Sequence, residues 1–392
     1  MSVDYWFNIL QHSPALIVAL PLLGAFLTPL IGKIGPRVRN VFVVFISLLT
    51  GFFVFSLSYN ILGHQSVKLA PKLLNNNIQT YVFGSENAGS PVVRILFEVD
   101  AMSAFMIIIG AILVIVAVIY SLKYMKEYTG LDKFYTLVLL MVAGMFGMMM
   151  TGDLFNFFVF LEIASIASCA LIAFWTSKGE SVYAGLKYIV ISTVGALFVL
   201  FAIAIFYGQY NALNMAVIAG SIHYTFLDKI ALVLLLAGLA MKAGIAPMHM
   251  WMPDAYGRSP APISIMLVGA TQASLYALFR VVFTIYGSNL TNSVRKIGDI
   301  TITLNGLIGI MLIALAIITI IIGVIMALKQ SNFKRLIAFA AVAEIGYMLL
   351  AVGAYLTTIN SDKGYIIMAG KSALNGGIFH ILNDALDIGY CS

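Results

Sequence analysis

The chain has 392 residues, 61% of them hydrophobic and only 10% charged, whereas a soluble domain carries about 25% charged residues. That leaves too little polar surface for a water-soluble fold, and the bilayer is the solvent the composition fits. The formal charge of +6 matches loop lysines and arginines lying near anionic lipid and gives no reason to expect a nucleic-acid partner.

Cys169 and Cys391 are the two cysteines, too few for a disulfide framework or for an iron–sulfur cluster, which takes about four. There is no P-loop and no GxGxxG behind a strand. The methionines at 148–150, 241, 248 and 250 fill packing gaps and lack the Cys/His company of a copper site. The expectation is one domain over 1–392 that holds no cofactor and no metal.

A spanning helix takes about 20 mostly apolar residues. Such runs fall at 14–32, 39–62, 100–122, 134–150, 154–175, 182–207, 229–250, 261–285, 302–327 and 335–356, and an eleventh opens near Tyr365. The predicted class is all-α, a polytopic transmembrane helix bundle of about 11 spans. The first run lacks a basic leader and a small-residue cleavage site, so it reads as a span. Thr151-Gly152-Asp153 forms a tight turn that makes its two spans antiparallel neighbours. The polar stretch 63–98, rich in Asn, Gly and Ser, predicts an external loop with short hairpin strands.

With alternating spans, Lys33, Arg37, Arg39, Lys123, Lys126, Lys133, Lys178, Arg258, Lys329, Lys334 and Arg335 gather on one face. The other face receives Lys68, Lys72, Arg94, Lys229, Arg295, Lys296 and Lys363, several in the long loop, where they weigh little. The positive-inside rule makes the first face cytoplasmic and puts the N-terminus of this multi-pass cell-membrane protein outside.

A charge at the bilayer centre costs about 2.5–3.5 kcal/mol or more, and such residues usually line an ion or proton path. Glu162 has nearly uncharged flanks of eight residues or more on either side. Lys242 is followed by Gly244 and Pro247, which predict a helix break at membrane depth, tolerated where it lines a cavity. Glu344 lies centrally in its span. His380 and Asp384 are four apart and share a helix face; an imidazole suits a proton relay. Each has a structural alternative: an inter-helix hydrogen bond for the glutamates, a snorkelling lysine for Lys242, a polar helix end for His380 and Asp384. Lys187 is expected to pair with Glu162 or to snorkel. Arg280, Lys334 and Arg335 are expected to snorkel, and Trp251 with the Pro253-Asp254 turn to mark the membrane interface.

Two stretches, Gly152-Asp-Leu-Phe-Asn-Phe-Phe-Val-Phe-Leu-Glu162 and Lys242-Ala-Gly-Ile-Ala-Pro-Met-His249-Met-Trp-Met-Pro-Asp254-Ala, resemble the antiporter-like subunits of respiratory complex I, of multi-subunit cation/proton antiporters and of membrane-bound hydrogenase-type complexes. In the second stretch lysine, proline, histidine, tryptophan and Pro-Asp fall at that family's spacing. Lys334-Arg-Leu-Ile-Ala-Phe, Ile345-Gly-Tyr and His380-Ile-Leu-Asn383 add to the resemblance, which covers nearly the whole chain. It implies that Glu162 on the fifth span pairs with Lys242 on a broken seventh span, and that Lys187 modulates the pair. It also implies that His249 is the histidine after the break, and that Glu344, His380 and Asp384 continue a mid-membrane polar axis.

Three features depart from the family. Gln272 stands where a lysine or histidine is common and can support the axis only by hydrogen bonding. Ile388 stands where a lysine often follows His380. The chain ends at Ser392, inside what would be the eleventh helix, so the inverted repeat is expected to be incomplete. The implied division is 1–133 as N-terminal spans, 134–285 as a first five-helix half-channel and 302–392 as a partial second one.

The expected function is that of an H⁺- or Na⁺-translocating subunit of a larger complex, without a redox centre of its own. Its partners would be other membrane subunits, with iron–sulfur or hydrogenase-like subunits among them. A degenerate structural subunit that does not pump is the alternative from another class. An independent secondary transporter fits less well, because alternating access needs both halves of the repeat.

Overall fold

Ten helices among the described residues are long and apolar enough to cross a membrane. The structure, a computed structural model, describes residues 12–62, 74–75, 78–83, 95–286, 294–297, 300–361 and 363–391. The start of the chain, most of the 63–98 loop with Lys68, Lys72 and Arg94, and the Cys391 side chain lie outside the described residues.

The spans run in chain order. α1 (Ser13–Gly32) and α2 (Pro36–Leu62) precede a small sheet of β1 (Leu74–Asn75), β2 (Ile78–Phe83) and β3 (Ile95–Val99). β2 pairs antiparallel with both neighbours, with Gln79 opposite Val99 and Phe83 opposite Ile95. Hairpin strands in the polar loop are thus observed. Then come α3 (Ala101–Tyr124), α4 (Leu131–Met150), α5 (Leu154–Ile172) and the 32-residue α6 (Gly179–Tyr210). After the short α7 (Met215–Ser221), the seventh span covers Phe226–Arg258 in two pieces, α8 (Phe226–Ala243) and α9 (Met252–Arg258).

α10 (Ala261–Arg280) completes the eighth span with a π turn, Val281–Ile285. A second hairpin follows, β4 (Val294–Ile297) with β5 (Ile300–Thr303). The sequence did not announce it: the β-branched Ile300-Thr-Ile-Thr303 merges with the apolar run behind it, so the ninth span begins at Leu304 and not at 302. α11 (Leu304–Leu328), α12 (Phe333–Thr358) and α13 (Gly364–Cys391) end the described chain. α13 sits at the expected eleventh span. Its glycines, asparagines, Lys371 and His380 leave it less apolar than the ten.

Helix starts carry the caps their sequences promise. The Asp153 carboxylate accepts from the Asn156 N–H at 2.8 Å, and Thr225 and Asp228 form a reciprocal capping box on α8. The 151–153 turn is clamped from both sides. Gly152 N–H donates to Leu96 O at 3.0 Å, and the Gly152 carbonyl accepts from Met215 N–H at 2.9 Å. The sheet is thereby fixed against the ends of α4 and α5. We call that end of the bundle the sheet face.

α6 and α8 meet backbone to backbone where two glycines oppose. A Cβ on Gly238 would lie 2.5 Å from the Gly195 carbonyl oxygen, and one on Gly195 would lie 2.9 Å from the Gly238 oxygen. Small residues let membrane helices approach this closely. The contact lies one turn before Lys242 and sets its distance from α6. Gly238→Val is expected to destabilise the bundle by about 1–3 kcal/mol through overpacking, read as a lowered thermal midpoint in detergent. Gly208→Ala, whose Cβ meets nothing within 4 Å, should leave the midpoint unchanged.

Candidate ion-translocation site

The break in the seventh span is built by two residues. Gly244 closes α8 in the left-handed conformation, φ 79°, which glycine adopts without strain. Pro247 lacks an N–H and cannot continue the ladder; it follows Ala246 through a cis bond. A 3₁₀ turn, Met248–Trp251, then leads into α9. Carbonyls freed by a break need donors, and the Trp251 indole supplies one, bonding Met241 O at 2.9 Å. Trp251 is only 2% exposed and packs edge-on against Tyr188. It is therefore a brace inside the break and not an interface marker.

Lys242 sits in the last turn of α8, where the helix dipole favours a cation, and is 7% exposed. Its Nζ donates to Ser165 Oγ at 2.5 Å and to Ser192 Oγ at 2.7 Å. It stands 3.5 Å from Glu162 Oε1, an oxygen that makes no hydrogen bond. The ammonium is thus solvated by two hydroxyls and attracted by a carboxylate it does not hydrogen-bond. Such a pair interacts by about 5 kcal/mol at an effective dielectric near 20. A cavity of about 20 Å³ lies beside Lys242, lined also by Ser165, Tyr188, Thr271 and Ser274, with room for a water molecule.

Gln272, in the buried middle of α10, donates through Nε2 to Asp384 Oδ2 at 2.8 Å and to Ile381 O at 3.0 Å. Asp384 is 3% exposed, and its Oδ1 and Gln272 Oε1 find no protein partner. His380 contacts the Glu344 carboxylate through Nε2. Residues four apart on a helix are offset by about 40°. His380 accordingly meets α12 while Asp384 meets α10, and the two serve different neighbours despite their shared side of α13.

Several expected placements are overturned. Lys187 neither reaches Glu162 nor snorkels: its Nζ donates to Asp254 Oδ2 at 2.8 Å. Asp254, read as part of an interface turn, is a buried hub. Arg335 Nη2 lies 3.4 Å and Arg258 Nε 3.7 Å from its Oδ1, so Arg335 does not simply snorkel. α9 is short and starts beyond a break, and these charges pin it to α6 and α12. Arg280 bonds the carboxylate of Asp100, the N-cap of α3. His249 is buried, its ring edge-on to Phe339 and its Nδ1 without a protein partner.

Sequence reasoning missed Ser165, Ser192 and Asp100, and it read Asp254 only as part of an interface turn. Ser165 follows Glu162 by three residues, a helical spacing that does signal a shared face. Ser192 lies on a different helix and gave no such signal. Among the described residues, no three His, Cys, Asp or Glu side chains gather as a metal site would require.

Residues 151–387 match the family described as NADH:quinone oxidoreductase/Mrp antiporter, TM. Residues 87–135 match that described as NADH-Ubiquinone oxidoreductase (complex I), chain 5 N-terminus. NADH-quinone oxidoreductase subunit N of Desulforudis audaxviator is 33% identical over 96% of this chain and 68% of its own length. F(420)H(2) dehydrogenase subunit N of Methanosarcina mazei is 28% identical over 88% of this chain and 68% of its own. A chain of the membrane-bound sulfane sulfur reductase, an archaeal respiratory membrane complex, superposes with a TM-score of 0.78 at 28% identity, covering 96% of this chain and 69% of that one. The chain thus spans about two thirds of the length of these relatives.

Removing the acid at the hub leaves Lys187, Arg258 and Arg335 facing one another. Asp254→Asn is expected to cost about 2 kcal/mol, the scale of a hydrogen bond to a charged group. Lys187→Met should cost less, because the two arginines keep their acceptor. Thermal midpoints of the two variants in detergent check the order.

Proposed function

Because the chain belongs to the NADH:quinone oxidoreductase/Mrp antiporter transmembrane family, we propose that it moves an ion, H⁺ or Na⁺, across the bilayer as a non-redox subunit of a larger membrane complex. The observation that carries this reading is the Lys242 ammonium, 3.5 Å from Glu162 and hydrogen-bonded only to serines. A lysine held this way can give up its proton without losing a carboxylate hydrogen bond, and the serine hydroxyls can turn to donate to the neutral amine.

Opening of the ion pair takes the carboxylate of Glu162 away from the Lys242 ammonium. It removes about 4–5 kcal/mol of mutual attraction. A driven charge movement in a neighbouring subunit can therefore load or unload Lys242. Gln272 and Asp384 extend the polar line towards α13, with Glu344 and His380 beyond. Residues 134–285 form the half-channel that contains the pair, and 302–392 contribute to a second.

Lys187 acts through Asp254 in this reading, and His249 supplies a polar group beside the break. The basic face, with Lys33, Arg37, Lys123 and Lys334, is cytoplasmic, so the sheet face is external and the N-terminus outside the cell membrane. The partners are membrane subunits of a multi-subunit complex. The relatives are named as subunits of a quinone oxidoreductase and of a dehydrogenase, and in this reading iron–sulfur or hydrogenase-like subunits are the electron-carrying partners.

A second reading, a structural subunit that does not pump, draws on Gln272, whose amide cannot titrate where a cationic residue would relay charge. Glu162→Gln and Lys242→Ala separate the two. In the reconstituted complex both variants should lose ion movement, at least about 10²-fold, with the complex still assembled on size-exclusion chromatography. Undiminished flux in both would favour the structural reading.

A further inference from the structure

Met148, in the last turn of α4, lines two separate cavities. One is the space beside Lys242, lined on α10 by Thr271 and Ser274. The other, about 10 Å³, lies nearer the sheet face, lined also by Thr151, Tyr276 and Arg280. Ser274 and Ala277, on the two sides, are one helical turn apart, about 4.5 Å along the axis. Each space is close to the size of one water; the inner one is lined by hydroxyls, and the outer one is mostly apolar, with Thr151 and Tyr276 among its neighbours.

The outer cavity leads on through polar groups. Tyr276 Oη and Ser103 Oγ are 2.7 Å apart, and Ser103 Oγ donates to Asp100 Oδ1 at 2.8 Å. Arg280 bonds the other Asp100 oxygen. The Arg280 side chain is 11% exposed and that of Asp100 28%, so the chain of hydroxyls and carboxylate reaches the surface at Asp100. Gln272, Tyr276 and Arg280 recur every four residues and run from the membrane centre to this point on one stripe of α10.

We propose that a proton route runs from the Lys242 cavity to the sheet face, with Met148 as its constriction and the Asp100–Arg280 bridge as its outer lid. The proposal rests on the reading of Lys242 as a proton-carrying group. Met148 suits a constriction. Its thioether is a poor hydrogen-bond partner, so no water chain passes while it fills the gap, and its three rotatable bonds let it swing aside without moving the helix. Apolar constrictions of this kind gate by excluding water. Arg280 lines the outer cavity while bonded to Asp100, and it repels cations there until it leaves that bridge and turns into solvent. The route is short, and it leaves the bundle without passing Asp384, Glu344 or His380.

The test reads access directly and does not depend on transport. In the assembled complex in oriented membrane vesicles, Cys169 and Cys391 are replaced by alanine and Ser274→Cys is introduced. Silver ions added on one face are the probe, and protection of the new thiol from later alkylation is followed by mass spectrometry. With Met148→Ala, silver from the sheet face should protect the thiol about tenfold faster than with Met148 in place. Arg280→Gln, which leaves Met148 untouched, should also accelerate protection from that face. Equal rates in all backgrounds, or protection only from the opposite face, would overturn the proposal. Loss of flux in Glu162→Gln and Lys242→Ala concerns the function itself, so the two readings can fail separately.

Discussion

A lysine charge held inside the bilayer is the constraint around which this bundle is organised. Unpaired, it would cost several kcal/mol and would lose its proton instead. Here three kinds of compensation meet at one atom: two serine hydroxyls, a carboxylate at 3.5 Å and the negative end of α8. Each needs its own structural device. Ser192 reaches Lys242 because Gly195 and Gly238 let α6 and α8 touch. The dipole end exists because Gly244 and Pro247 stop the helix at that depth. The break in turn leaves carbonyls that Trp251 covers. The arrangement stabilises the charged form without fixing it, since the carboxylate is near but not hydrogen-bonded.

The same logic places charges at the two ends of the bundle. At the face opposite the sheet, Asp254 gathers Lys187, Arg258 and Arg335 and so anchors a half-helix of only seven residues, Met252–Arg258, that a break has cut from its span. At the sheet face, Asp100 caps α3 and binds Arg280. Between these ends, α10 is buried on nearly all sides, and it carries the polar residues that link the Lys242 cavity to α13 on one hand and to the sheet face on the other.

Much of this was legible in the sequence, for physical reasons. Long apolar runs gave the spans, because only a helix of about that length satisfies its backbone in lipid. Glu162, Lys242 and the Gly244/Pro247 break stood out because charge and proline are costly at those depths. Partners were harder to read. Lys187 was assigned to Glu162 or to the interface, but it bonds Asp254, because a pairing between helices depends on rotation and register that no local pattern encodes. Arg280 and Arg335 were given to the interface for want of a visible acid. The β4–β5 hairpin was hidden because alternating isoleucine and threonine beside an apolar helix look like part of it.

The account's central claim is that Lys242 must lose and regain its proton, and Lys242→Arg tests it most directly. A guanidinium keeps the positive charge and the attraction to Glu162 but cannot be deprotonated in a protein. Ion flux through the reconstituted complex should vanish while assembly and thermal stability stay close to those of the unsubstituted protein. Flux at the unsubstituted rate in that variant would contradict the claim.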